Sequence, residues 1–294
     1  GIRVLLSCQV SAIKPQRDGG FLIRSSQRTL HTDTLILAAG SKAAPSTGSD
    51  GSGYELAKAL GHKVIKPLPA LVQLRCQGTL YKQLAGIRTE ARIRLLADGI
   101  CMAEDKGELQ LTDYGLSGIP VFQISRYASR ALDKGSRVRA SIDFMPSWKE
   151  DEAFRLLKKR AVMLKEKPVG ELFTGMLNRK LAQVLIKLSG IDPSALCERL
   201  GNRQLERILY QLKSYEAIVM SVNPFSNAQV CCGGVDTREV DPDTMESRIR
   251  TGLYLAGELL DVDGICGGYN LQFAWSSGWI AGQSAAGIEK PHRK

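Results

Sequence analysis

The 294 residues are 44% apolar and 24% charged, a mixture that excludes a disordered or fibrous chain and leaves room for a large core. No apolar run reaches the roughly 18 residues of a membrane-crossing helix and no signal-peptide series opens the chain, so cytoplasm is the expected compartment. Seven cysteines without CxxC spacing exclude a disulfide framework and a zinc site. The net charge of +10 is concentrated between Ser147 and Lys213, where 14 Lys/Arg face 8 Asp/Glu among apolar residues at helical spacing. A solvated helical surface accounts for that pattern better than a nucleic-acid face.

The alternation from Ile2 to Ile13, the turn Asp18-Gly19-Gly20 and the run Phe21-Leu22-Ile23 predict a hairpin. After a turn near His31, Thr34 to Ala39 is apolar on both faces and ends at Gly40, as a buried parallel strand does; such a strand needs cover on both sides. A small-residue loop from Ser41 to Ser52 leads to a predicted helix over Tyr54 to Leu60, closed by Gly61 and capped by Asp50 or Ser52. From Leu71 to Phe144, short strands broken by glycines read as a β-rich unit, with Tyr127 to Leu132 helical.

Ser147 followed by Glu150 has capping-box spacing, and helical periodicity runs on from Phe154. Further helices are predicted within Val169 to Leu188 and Ser194 to Leu212, broken at Pro168, Gly190 and Pro193. Tyr215 to Val222 reads as a strand returning to the β-rich unit. Gln229 to Val235 and Gly252 to Ala256 are strands, Asp263 to Asn270 is a glycine-rich loop, and a last helix runs from about Leu271 to Gly287. The predicted division is 1–72 with 225–294, a β-rich insertion 73–146 with 214–224, and a helical insertion 147–213.

Two strand ends carry the chemistry. Leu255-Ala256-Gly257-Glu258 lets backbone approach a ligand closely, and the Glu258 carboxylate can accept bonds from ligand hydroxyls. Twelve residues later a glycine pair precedes a helix whose first amides favour negative charge, which suits the N1 and C2-carbonyl edge of a reduced flavin. The alternative is a glycine turn that only lets the helix pack on a sheet. Leu35-Ile36-Leu37-Ala38-Ala39-Gly40 repeats the strand-then-glycine pattern, a weak signal alone and a stronger one in combination.

Ala39-Gly40-Ser41, Thr47 to Tyr54, Leu60-Gly61-His62, Pro69 to Val72, Gly115 to Gly118, Gly233-Gly234-Val235, Thr244-Met245-Glu246-Ser247 and Gly252 to Gly282 together cover nearly the whole chain. In these motifs the sequence resembles the BaiN/YhiN-type (HI0933-like) family of FAD-dependent oxidoreductases. The resemblance implies an α/β fold: a discontinuous, Rossmann-like FAD/NAD(P)-binding domain, here incomplete, with an inserted β-barrel-like unit and a helical bundle. It implies that Val10 places its backbone beside the adenine and that Ala39 and Gly40 line the cofactor. Gly257 and Glu258 then meet the ribityl and pyrophosphate region, while Gly268, Tyr269, Asn270, Leu271 and Gln272 bracket the isoalloxazine, with Gly267 also cofactor-binding.

The sequence departs from the family in lacking its opening βαβ unit with GxGxxG. The expectation is therefore an N-terminally truncated chain, weak or absent FAD binding, and inactivity of this chain alone. Cys231-Cys232 stands where the family has small or hydroxyl residues; on a strand the two thiols point to opposite faces and read as buried. Cys266 and His62 read as packing residues, and Tyr269 as a packing residue or a neighbour of the ring. His31, His62 and His292 form no recognisable hydrolase set.

The expected function is hydride transfer from a reductant such as NAD(P)H, through FAD, to a small organic substrate. No residue is assigned as catalytic acid or base, no specific nucleic acid or membrane partner is expected, and no oligomeric state is assigned. The alternatives are a cofactor-free binding module and, with less support, a nucleic-acid binder acting through the basic helices.

Overall fold

The computed structural model describes residues 2–287; Gly1 and residues 288–294, His292 among them, lie outside the described residues. The chain forms two compact units, Gly1–Ala70 with Pro224–Lys294, and Leu71–Asn223. The first unit opens with β1 (Val10–Pro15), β2 (Phe21–Ser25), β3 (Thr29–Thr32), β4 (Leu35–Leu37), α1 (Ser52–Ala59) and β5 (Val64–Ala70). The second follows with β6 (Leu74–Cys76), α2 (Tyr81–Leu84), β7 (Arg88–Ala97), β8 (Ile100–Leu111), β9 (Gly115–Ser117), α3 (Ile119–Asp133) and β10 (Val138–Asp143). It continues through α4 (Glu150–Met163), α5 (Arg179–Leu188), α6 (Asn202–Lys213) and β11 (Tyr215–Val222). The chain then returns to the first unit for β12 (Val230–Val235), β13 (Leu253–Leu255) and α7 (Tyr269–Ala285).

In the first unit β1, β2 and β3 form an antiparallel sheet, β5 pairs antiparallel with β12, and β4 pairs parallel with β13. All six residues of β12 are buried. Its Gly233 has φ +102°, and a Cβ there would stand 2.3 Å from the Lys66 carbonyl oxygen of β5, so the close approach of the strands at this bulge excludes a side chain. One apolar cluster, including Phe21, Leu37, Leu60, Leu253, Leu255 and Ala281, joins the three sheets to both helices.

In the second unit six strands close a barrel in the order β10-β11-β6-β9-β8-β7, which removes exposed strand edges. Barrel residues such as Ile93 and Leu116 share one continuous apolar core with Val121 of α3, Leu157 of α4, Leu185 of α5 and Leu212 of α6. The Lys213 ammonium ties the end of α6 to the barrel, donating to Asp143 Oδ2 (2.6 Å), the Met145 carbonyl (2.8 Å) and the Trp148 carbonyl (2.7 Å).

Four local expectations are corrected. Residues 2–9 are outside any strand: Ile2, Val4 and Leu6 are exposed and Ser7 has φ +52°, so the alternation has no face to dock on until Val10. Strand β4 is short and covered on one face, with Leu37 buried while Ile36 is 39% exposed and Ala38 and Ala39 lie outside it. Helix α3 is far longer than its predicted core, with Pro120 fitting the first turn after Gly118. Helix α4 begins at Glu150, and the box forms two residues late, with the Lys149 amide donating to Glu152 Oε2 (3.0 Å).

A Ser/His/Glu array is present, contrary to expectation, and it is structural. His62, 3% exposed, meets Glu239 Oε2 through Nδ1 (3.0 Å) and the Ser247 hydroxyl through Nε2 (2.8 Å). An ionised Glu239 can only accept, so Nδ1 carries the proton and Ser247 donates to Nε2. Ser247 Oγ also accepts the amides of Ile249 (3.1 Å) and Arg250 (2.9 Å), and Glu239 accepts the amide of Lys63 (2.9 Å). With both lone pairs engaged and the side chain buried, Ser247 is a clasp and not a nucleophile.

Burial holds the His62 pKa below the ordinary imidazole value, with Glu239 opposing and Arg250 reinforcing that shift. The unfolded chain therefore takes up the proton more readily than the native one. The resulting stability is present above the unfolded imidazole pKa and is lost as pH falls through the folded one. His62→Ala is expected to cost about 2–3 kcal/mol at neutral pH and to flatten this part of the acid dependence. Urea unfolding at neutral and mildly acidic pH measures both, and an unaltered pH slope in the variant would remove His62 from that role.

Candidate functional site

The parallel register pairs Leu35 with Leu253, Ile36 with Tyr254 and Leu37 with Leu255, and the Ala256 amide extends it by donating to the Leu37 carbonyl (3.2 Å). Both strands therefore end level, and Ala39-Gly40 leaves one end beside Gly257-Glu258 at the other. The carboxyl ends of parallel strands are where α/β sheets bind ligands, because the chain turns away there and exposes backbone.

Glu258 lies in a single 3-10 turn, Gly257–Leu259, and is half-buried. Its Oε2 accepts the hydroxyl of Ser41 (3.1 Å), the residue after Gly40. Burial raises its pKa above the ordinary carboxylate value, and the bond from Ser41 partly offsets the rise. Helix α7 is fastened to the same turn: the Gly257 amide donates to Ser277 Oγ (3.0 Å), and Ser277 donates to the Phe273 carbonyl one turn earlier (2.7 Å).

The glycine loop is held from inside by Asn270, whose Oδ1 accepts the Gly264 amide (2.7 Å) and whose Nδ2 donates to the Gly264 carbonyl (3.2 Å). Gly268 takes a left-handed turn (φ +92°) to start α7. The Gln272 amide bonds to the Gly268 carbonyl (2.9 Å), so the amides of Tyr269, Asn270 and Leu271 precede the helix's internal ladder. Gly267, Gly268, Tyr269, Leu271 and Gln272 are exposed, and apart from its chain neighbours no heavy atom lies within 4 Å of where a Gly268 Cβ would stand. The turn at Gly268 thus faces open space on that side, while the Tyr269 ring stands 3.7 Å from where a Gly267 Cβ would be.

Val10 is set apart from these residues. It begins β1, is half-buried and pairs across the sheet with Ser25, and no described hydrogen bond connects it to the strand ends. An apolar cleft of about 680 Å³ in the same unit, lined by residues including Val240, Met245, Phe273 and Ile280, contains none of the predicted cofactor residues. Cys266 is half-buried, 3.9 Å from Gln229 Oε1. Cys231 and Cys232 are both buried, and Cys231 faces the hydroxyls of Ser41 and Tyr54, a juxtaposition that nothing in the local sequence signals.

The family model described as "HI0933-like protein Rossmann domain" matches residues 1–284. The chain is similar to a 3-dehydro-bile acid delta(4,6)-reductase of Clostridium scindens, at 44% identity over 99% of this chain and 70% of that protein. It is similar to ribosomal RNA dihydrouridine synthases of Haemophilus influenzae, at 29% identity over 97% of this chain and 69% of the relative, and of Escherichia coli, at 30% over 90% and 63%. No described helix is long and apolar enough to cross a membrane.

Asn270→Ala removes both bonds to Gly264, and the loop is expected to loosen by about 1–2 kcal/mol. Hydrogen–deuterium exchange should then quicken across Asp263 to Gly268 while β12 stays protected. Unchanged exchange in the loop would show that Asn270 does not hold it.

Proposed function

Because this chain belongs to the HI0933-like Rossmann-domain family, whose members include flavoprotein oxidoreductases, we propose that its cofactor is FAD, with the redox-active ring at the opening turn of α7. The observation that carries this reading is the glycine-led start of α7, with exposed residues at the turn and three amides ahead of the ladder. The residues present fit the ring-binding half of a flavin site, since the open Gly268 turn admits a flat ring that a side chain would obstruct.

When bound and reduced, FAD supplies a hydride equivalent. The amides of Tyr269 to Leu271 and the helix dipole would stabilise negative charge at the N1 and C2-carbonyl edge. Glu258 would bond a ribityl hydroxyl, Gly257 would admit the chain of the cofactor, and Ala39 and Gly40 would line its other side. Gly268 to Gln272 would bracket the ring, with Gly267 also toward the cofactor, and the Val10 backbone would border the adenine. NAD(P)H is the proposed reductant, a soluble hydride donor that matches the two-electron chemistry of the flavin.

The relatives' names share one chemical element. One describes reduction of the 4,6 double bonds of a 3-dehydro bile acid, and the others describe making dihydrouridine, which is uridine with hydrogen added across a double bond. That common step supports a substrate with a carbon–carbon double bond conjugated to a carbonyl. The greater identity to the bile acid reductase supports a small, polycyclic substrate over RNA.

Full-length protein is expected to turn yellow on purification or on FAD addition, and NAD(P)H should bleach that colour until a conjugated enone is supplied. Gly268→Val places a branched side chain in the left-handed turn and in the approach to the ring, and it should abolish flavin retention. Glu258→Ala should weaken FAD binding roughly tenfold, the loss of one charge-assisted bond. Wild-type flavin content in Gly268→Val would remove the ring from the start of α7, and wild-type affinity in Glu258→Ala would remove that carboxyl from the site.

A further inference from the structure

We propose that Ser41 is a positioning residue that clamps the Glu258 carboxyl at the strand ends, and that Cys231 and Tyr54 form the buried backing that keeps Ser41 in place. The role toward a ligand rests on the flavin reading above; the clamp itself does not.

Ser41 is fully buried, immediately after Gly40. Its oxygen accepts the Ala43 amide (3.2 Å) and its proton goes to Glu258 Oε2 (3.1 Å). A hydroxyl has a single proton, so once Ala43 occupies one lone pair and the carboxylate takes the proton, the side chain has one rotamer that satisfies both. Two residues of one sharp loop thereby fix a carboxyl 217 positions away in sequence.

The space behind Ser41 is also polar. Cys231 of β12, 4% exposed, faces the Ser41 and Tyr54 hydroxyls and the amides of Lys42 and Ala43, and burial holds its thiol in the protonated form. Tyr54 of α1 is 4% exposed, lies beside Cys231, and its hydroxyl has no hydrogen-bond partner. The hydrogen bond that leaves this buried cluster runs from Ser41 to Glu258, whose carboxyl is half-open to solvent. The Cys-Cys sequence, read locally as two packed thiols, has an asymmetric use: Cys231 backs the site.

The titratable groups around Glu258 in this cluster are Tyr54 and Cys231, both neutral, so Ser41 is the group here that favours the ionised carboxyl. Carbon-13 NMR of glutamate-labelled full-length protein reads the Glu258 titration directly, assigned with Glu258→Gln. Ser41→Ala should move the Glu258 midpoint upward and weaken FAD binding roughly tenfold. Ser41→Thr should restore both, and Cys231→Ala should shift the midpoint in the same direction by less. If Ser41→Ala does not fold, Ser41→Cys, a weaker donor, should show a smaller upward shift.

An unmoved midpoint in the alanine or cysteine variant overturns the clamp. A moved midpoint with FAD affinity unaffected in both Ser41→Ala and Glu258→Gln supports the clamp and removes the flavin reading instead.

Discussion

The parallel contact between β4 and β13 is the constraint from which the site follows. Three residue pairs and the added Ala256 bond set two chain segments level that are more than 200 positions apart. A parallel pair cannot be joined by a tight turn, so everything between them must be accommodated by a long crossover. Once the strands are level, Gly40-Ser41 and Gly257-Glu258 have to turn away side by side, and the seryl-to-carboxyl bond forms across the junction. Ser277 then fastens the middle of α7 to the same turn.

Burial separates chemistry from architecture in this molecule. His62, Ser247 and Glu239 have the composition of a hydrolytic triad, yet the serine hydroxyl is fully engaged and the imidazole is sealed off. Their work is to join the end of α1 to the segment that precedes β13. Glu258 has fewer internal partners and remains half-open, and the turn that follows toward α7 exposes backbone. Similar residue types thus serve opposite ends according to how much water and how many internal donors they keep.

Local pattern was legible where one period ruled. Tyr215–Val222 is a strand with the bounds that its alternation implied, and the last helix and the Gly257-Glu258 strand end were visible in the same way. The errors lie where a pattern needed a partner to acquire meaning. Ile2 to Leu6 alternates but finds no surface, and Thr34 to Ala39 is apolar throughout yet is buried on one face only. The closure of the barrel, the clasp at His62 and the contact of Cys231 with Ser41 join residues dozens to hundreds of positions apart, and no spacing rule within a single segment encodes them.

The way the chain leaves and re-enters the first unit has a consequence of its own. It departs at Ala70, which pairs with Val230 across the β5 and β12 ladder, so exit and entry strands run side by side. The inserted unit is stitched shut likewise at its own ends, with Leu74 opposite Val222 and the Asn223 amide on the Gln73 carbonyl (3.0 Å). Loop-closure entropy grows only slowly with length, and here the ladders meet it at both mouths. Such a junction makes the barrel with its helices a cassette: it can be lengthened, swapped or trimmed by evolution or by engineering while the strands that flank it keep their register.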